Sequence, residues 1–345
     1  MPVISKNIKL IVKYLLGPIV FCILAVSIYD QLQSQAGWQS SLSAIGTSFR
    51  GENRYNFLWV FMLMLVNWGI EARKWQLALK HLYQISFLRS LRAVFTGTTM
   101  AFFTPNRIGE YFGRILYIPE GKRVQAVSLT IVCSMAQLLI TLCCGAIGLF
   151  FLHEHLYTQH STSASVLFWL RLVLWGAISG SLLLMLFYFK ISWLVKGLER
   201  LSLPTRYLKY VELLEEFNAT VLLRILSLSG IRYIVFLLQY HLLFEAFEVS
   251  MTAWDTLLSV SVMFVVLAIA PTVAFLTDLG IRAKAGIELV QFFSTNVAGI
   301  LATTLGIWMI NLVIPSLIGS LLILGIRLGD YRQRAGPVTN DIAGN

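Results

Sequence analysis

With 57% of its 345 residues hydrophobic, 13% charged and a mean hydropathy of +0.74, the chain is too apolar for a water-soluble globule and reads as a polytopic membrane protein. Its formal charge of +10 does not point to nucleic acid, because the basic residues cluster in short connections between apolar runs, as orientation in a membrane requires. Cys22, Cys133, Cys143 and Cys144 all fall inside apolar runs, which argues against a disulfide framework or a zinc site built on them.

Lys6, Lys9 and Lys13 precede an apolar run through Ile28. At about 20 residues this run is long enough to cross, so it reads as an uncleaved first span despite the small-x-small site Ala25-Val26-Ser27. A polar loop, Asp30 to Asn56, leads to a second span, Phe57 to Ile70. Glu71, Arg73, Lys74, Lys80, Arg89 and Arg92 then read as a basic cytoplasmic segment. Leu91 to Phe103 is apolar but only about 13 residues long, so it is expected to enter the membrane and turn back at Pro105.

Phe103 to Arg114 reads FTPNRIGEYFGR, a charged stretch between apolar ones. Pro105 suits a first helical position, and Thr104 before it suits an N-cap. A helix starting there places Arg107, Glu110 and Arg114 at i, i+3 and i+7, on one face. One glutamate neutralises one arginine. The remaining cation lies beside a helix start, whose free N–H groups also attract anions. The expectation is a broken helix lining a polar cavity that receives an anionic group.

Val124 to Leu152 is the next span. The stretch His153 to Ser165 has no lysine or arginine and is expected outside. Its HEHLY text lacks the H-E-x-x-H spacing of a zinc site and reads as a solvated loop. Val166 to Phe189 returns, and Lys190 to Phe217 reads as amphipathic helix on the cytoplasmic surface. Ala219 to Phe247 is a span of unusual polarity. Arg232 and Gln239 share one of its faces, and His241 and Glu245 form an i, i+4 pair on the opposite one. Leu257 to Ala270 stops at Pro271. TVAFLTDLGIRAKAGIE follows, with Asp278 placed to cap a helix and Arg282 four residues on as its ion-pair partner. Val297 to Ile326 is the last span, with Pro315 as a kink, and Arg327, Arg332 and Arg334 hold the C-terminus in the cytoplasm.

The expected fold is therefore all-α. It is a polytopic membrane helix bundle of about eight spans with two broken or re-entrant segments, six crossings with two re-entrant segments being the alternative. Residues 1–330 are expected to form one membrane domain, with a hint of two related halves, 1–190 and 218–330, joined by the amphipathic segment 191–217. A short polar tail, 331–345, follows. Both termini lie in the cytoplasm. Ala270-Pro271 followed by Asp278, Gly280 and Arg282 echoes Thr104-Pro105 followed by Gly109, Glu110 and Arg114, although the spacings differ. Paired, proline-interrupted segments in two halves of a membrane chain point to a transport site. The segments around Gly109 and Gly280 are expected close together, with Arg232 facing them.

Each charge at membrane depth costs roughly 2.5–3.5 kcal/mol at a helix centre on insertion scales. Arg107, Glu110, Arg114, Arg232, Gln239, Asp278 and Arg282 are therefore expected to face one another or a wet cavity, as a binding site for an anion. No P-loop is present, since Gly121-Lys122 lacks both the earlier glycine and the following Ser or Thr. Neither G-x-S-x-G, C-x-x-C nor a dinucleotide fingerprint occurs. No cofactor, metal site, nucleic-acid partner or ATPase of its own is expected.

Three stretches, TPNRIGEYFGR, SGIRYIVFLLQY and APTVAFLTDLGIRAKAGIE, resemble the transmembrane region of lysylphosphatidylglycerol synthases, a family of flippase-like integral membrane proteins. Family members typically carry a P-G-G-x-G-like element near the last stretch, where this chain has Pro271-Thr272-Val273-Ala274. The resemblance implies a bundle of about eight helices in the cytoplasmic membrane that binds or translocates a lipid with an anionic head group, phospho- or polyprenyl-linked. The soluble synthase domain is not seen in this sequence, so the synthase activity is not carried over and the protein is expected not to be an enzyme. Two rivals stay open. One is an intramembrane head-group transferase using Glu110 or Asp278 as base. The other is a non-catalytic partner of an envelope glycosyltransferase.

Overall fold

The computed structural model describes residues 53–158, 163–190, 219–270 and 274–323, with four isolated positions before them. The expected first span, the amphipathic segment 191–217, Pro271 and the C-terminal tail lie outside the described residues. Within them the structure is all helical, a membrane helix bundle as expected. Four of its helices are long and apolar enough to cross a membrane: Glu120–Thr158, Ala164–Phe189, Ala219–Ala246 and Val297–Ile323.

Helix α1, Arg54–Leu79, does not stop at Ile70. Glu71 and Lys74 are 3% and 1% exposed inside the bundle, which corrects their reading as part of a cytoplasmic connection. The helix continues because Asn67, Glu71 and Lys74 stand at i, i+4 and i+7 and turn one polar stripe inward. The basic connection then begins near Lys80. Helix α2, Phe87–Phe102, starts at Ser86, whose hydroxyl accepts the Arg89 N–H. Its 16 residues span about 24 Å, short of a hydrocarbon core of about 30 Å.

The chain then reverses. Pro105–Arg107 forms a single 3₁₀ turn, and Asn106 and Arg107 take positive φ values of 50° and 59°. This left-handed pair redirects the chain, so helix α3, Gly109–Ile115, starts four residues later than Pro105 would have it. Thr104 still serves the helix start, its hydroxyl accepting the Gly109 N–H at 2.6 Å. α3 packs back along α2 as a hairpin. A Cβ on Gly109 would lie 2.1 Å from the Met100 carbonyl oxygen, and one on Gly113 would lie 2.5 Å from the Gly97 Cα. The hairpin closes only because these positions carry no side chain.

Helix α4, Arg123–Thr158, extends through the HEHLY stretch, so His153 and His155 lie on its last turns and not in a loop. Helix α5, Ala164–Phe189, lies on its outer side and buries only Leu174, Ala177 and Tyr188. Helix α6, Ala219–Ala246, packs most closely on α1. Helix α7, Ala253–Ile269, opens with a capping box between Thr252 and Asp255 and crosses α4 at Gly145 and Gly148. It stops just before Pro271. Helix α8, Ala274–Val290, packs on α7 and touches the Pro105–Arg107 turn. Helix α9 begins as Val297–Trp308 and passes through a π-helical turn, Met309–Val313, before continuing to Ile323. The expected irregularity at Pro315 takes this form. Proline has no N–H to give the carbonyl four residues back, that of Asn311, and the helix widens there.

Candidate functional site

The hairpin, α1 and α6 bring six charged side chains together. Glu71 is the hub. Its Oε1 accepts from Arg114 Nη2 at 2.8 Å, and its Oε2 accepts from Lys74 Nζ and Arg232 Nη1, each at 2.7 Å. Arg114 Nη2 also pairs with Glu110 Oε1, and Arg107 Nε lies 3.7 Å from Glu110 Oε2. Four cations thus share two carboxylates. Glu71, Lys74 and Arg114 are nearly sealed from solvent, whereas the Arg107 side chain is 47% exposed. Ions withdrawn from water this far persist only when paired and hydrogen-bonded, and the pairing here still leaves a positive excess.

Arg232 is held by four neighbours. Its guanidinium lies between the rings of Trp68 and Phe236, at 5.4 and 5.5 Å from their centroids. Nε donates to Asn67 Oδ1 at 2.6 Å, and Nη1 donates to Glu71. Its other N–H groups take no partner among the described residues, and Arg232 lines a cavity of about 410 Å³. Such a volume lies within the range of small-molecule sites, roughly 300–1,000 Å³. The cavity lining carries six charged residues, Glu71, Lys74, Arg107, Glu110, Arg232 and Arg282. Beside them the wall is aromatic and aliphatic, with Phe236, Phe264, Leu267, Trp308 and Leu312. Leu138 of α4 and Ala268 of α7 line it too, and both are exposed.

Of the residues singled out from sequence, Arg107, Glu110, Arg232 and Arg282 line this one cavity. The hairpin turn and α8 therefore meet across it. Arg114 does not line it. It lies behind the two carboxylates, 1% exposed, with Trp75 against its guanidinium. Gln239 is fully buried, donating to the Val60 carbonyl at 2.9 Å and accepting from Asn311 at 3.1 Å. The Asp278 side chain lies outside what the structure describes. His241 and Glu245 are 3.7 Å apart, away from the cavity lining.

Sequence reasoning missed Asn67, Glu71, Lys74 and Asn311. The heptad Asn67, Glu71, Lys74 was the available signal, three polar residues on one face immediately after an apolar run. Asn311 left only the trace of Pro315 four residues on.

A re-entrant-length hairpin set among apolar helices, with a charged cavity at its tip, defines an integral membrane protein with a polar site inside the bundle. The chain belongs to the family described as the lysylphosphatidylglycerol synthase TM region, whose model matches residues 22–319. This makes it a membrane protein of a lipid-related family. No curated protein matches the chain.

Proposed function

We propose that the protein binds a lipid with an anionic, phosphate-bearing head group in this cavity and moves it across the cytoplasmic membrane without altering it covalently. The observation that carries the reading is Arg232, a clamped guanidinium on the wall of a cavity that is also lined by aromatic and aliphatic side chains. A guanidinium fixed in this way presents donors in the geometry a phosphate accepts. The surplus cations favour an anion, and the apolar part of the lining suits an acyl or prenyl chain. Glu110 is engaged by Arg114 and Arg107, which suits a counterion better than a general base. In this reading both termini and the Lys80 to Arg92 connection are cytoplasmic.

The test is reconstitution into vesicles holding a fluorescent phosphatidylglycerol, with accessibility to an impermeant quencher followed over time. Accelerated exchange by the wild type, lost in Arg232→Gln, with the lipid mass unchanged, is the expected result. Exchange equal to empty vesicles overturns translocation of this lipid class. A change in lipid mass would establish a transferase instead. A cysteine at Gln333 labelled from outside intact cells would overturn the orientation.

A further inference from the structure

Three buried amides connect Arg232 to the backbone of α1. Arg232 Nε donates to Asn67 Oδ1 at 2.6 Å, and Asn67 Nδ2 donates to Asn311 Oδ1 at 3.2 Å. Asn311 Nδ2 donates to Gln239 Oε1 at 3.1 Å, and Gln239 Nε2 donates to the Val60 carbonyl at 2.9 Å. Asn67 and Gln239 are fully buried, and Asn311 is 8% exposed.

The direction of this chain is fixed by its two ends. A carbonyl oxygen only accepts, so Gln239 must give it the NH₂ and turn its own oxygen toward Asn311. The same step repeats through Asn311 and Asn67. The series ends with an oxygen aimed at Arg232, whose Nε–H only donates. Flipping any one amide would set like groups against each other inside the bundle. The series therefore permits one orientation of the Asn67 amide, and that amide holds one edge of the guanidinium.

The π-helical turn supplies the middle member. A turn widened by one residue re-aims its side chains relative to an α-helix. Asn311 sits within Met309–Val313 and also lines the cavity.

We propose that Asn67, Asn311 and Gln239 are positioning residues that set the angle at which Arg232 meets the ligand's anionic group. This rests on the proposed function, and it assigns Gln239 a role through Arg232 and not in direct contact with ligand. The relay makes anion recognition depend on a turn of α9, the π-helical Met309–Val313.

The probe is dodecyl phosphate, titrated by calorimetry against the full chain in maltoside micelles, with methyl phosphate as the tailless control. Asn311→Leu removes both hydrogen bonds while keeping a similar size. Its affinity for dodecyl phosphate should fall about tenfold, the effect of roughly one lost well-placed hydrogen bond. Gln239→Leu should weaken it about threefold, since it lies further along the relay. The deciding measurement is the double variant. Lysine has neither the Nε donor nor the fork, so Asn311→Leu should cost nothing more in an Arg232→Lys background. A merely structural role for Asn311 would give the same loss in both backgrounds and would overturn the proposal, as would unchanged affinity in Asn311→Leu. If the wild type and Arg232→Gln bind dodecyl phosphate equally, the reading of the cavity itself fails. If methyl phosphate binds as tightly as dodecyl phosphate, the ligand is a free phosphate and not a lipid.

Discussion

Helices α1 and α5 are both 26 residues long, and they are opposites. α5 is apolar but for Arg171 and three serines and buries three residues, with Trp169, Trp175, Leu182 and Leu186 turned outward. α1 buries eleven, and three of them are Asn67, Glu71 and Lys74. In water the apolar helix would be the inner one. In a bilayer lipid is as good a partner for leucine as protein is, so apolar surface does not pull a helix inward. Polar groups do, because hydrocarbon offers them no partner. The position of α1 at the centre of the bundle follows from its charges.

The comparison can be broken at either helix. Removing the hub is the largest change. Glu71→Leu leaves Lys74, Arg114 and Arg232 without their shared carboxylate, and should destabilise by about 3–5 kcal/mol, the cost of stranding buried charge. Thermal unfolding in detergent would measure it, and loss of folded protein on expression is the extreme form of the same result. Melting unchanged from wild type would show that water, and not Glu71, balances those cations.

The hairpin comes next. Gly113→Ala sets a methyl group against the backbone at Gly97, where a Cβ would sit 2.5 Å from the Cα. Prising the two arms apart should cost about 1–3 kcal/mol in the same melting experiment. Gly121→Ala, where a Cβ meets nothing within 4 Å, is the matched control and should melt like the wild type.

Arg107 offers a sharper contrast, since it pairs with Glu110 at the cavity mouth and not in its floor. Arg107→Gln should change stability by less than about 1 kcal/mol, as for other solvent-accessible pairs, while weakening anion binding at low salt more than at high salt. An effect on melting as large as that of Glu71→Leu would mean the two arginines of the hairpin are buried alike. The smallest effect belongs to α5. Leu182→Ala, on its exposed face, should stay within about 0.5 kcal/mol of wild type. A larger loss would indicate that this face packs against protein.

Much of this was legible in sequence. Pro105 identified the break, and the i, i+4 spacing of Glu110 and Arg114 identified a pair on one helix face, while Arg107 lies in the turn before that helix. Arg232 stood out as a cation at the depth of a span. The end of α1 was not legible, because hydropathy stops at Ile70 and the charges that follow resemble a connection. Two of the cations that pair with Glu71 come from far along the chain, Arg114 from the hairpin and Arg232 from α6. The same distance hid the part played by Gln239. Its polarity within a span was plain, but its acceptor is a backbone carbonyl of α1, which no side-chain pattern announces. Asn106 and Arg107 carry the reversal in left-handed backbone, and Pro105 drew the helix start forward to a place the chain does not use.

The central claim is that Arg232 faces a lipid phosphate. Native mass spectrometry of the protein extracted gently from its membrane, compared with Arg232→Gln prepared identically, tests it most directly. The account predicts that a phosphate-bearing lipid is retained one per chain by the wild type and lost from Arg232→Gln, with both proteins folded. Equal retention by the two, or retention of a lipid without an anionic head group, would contradict it.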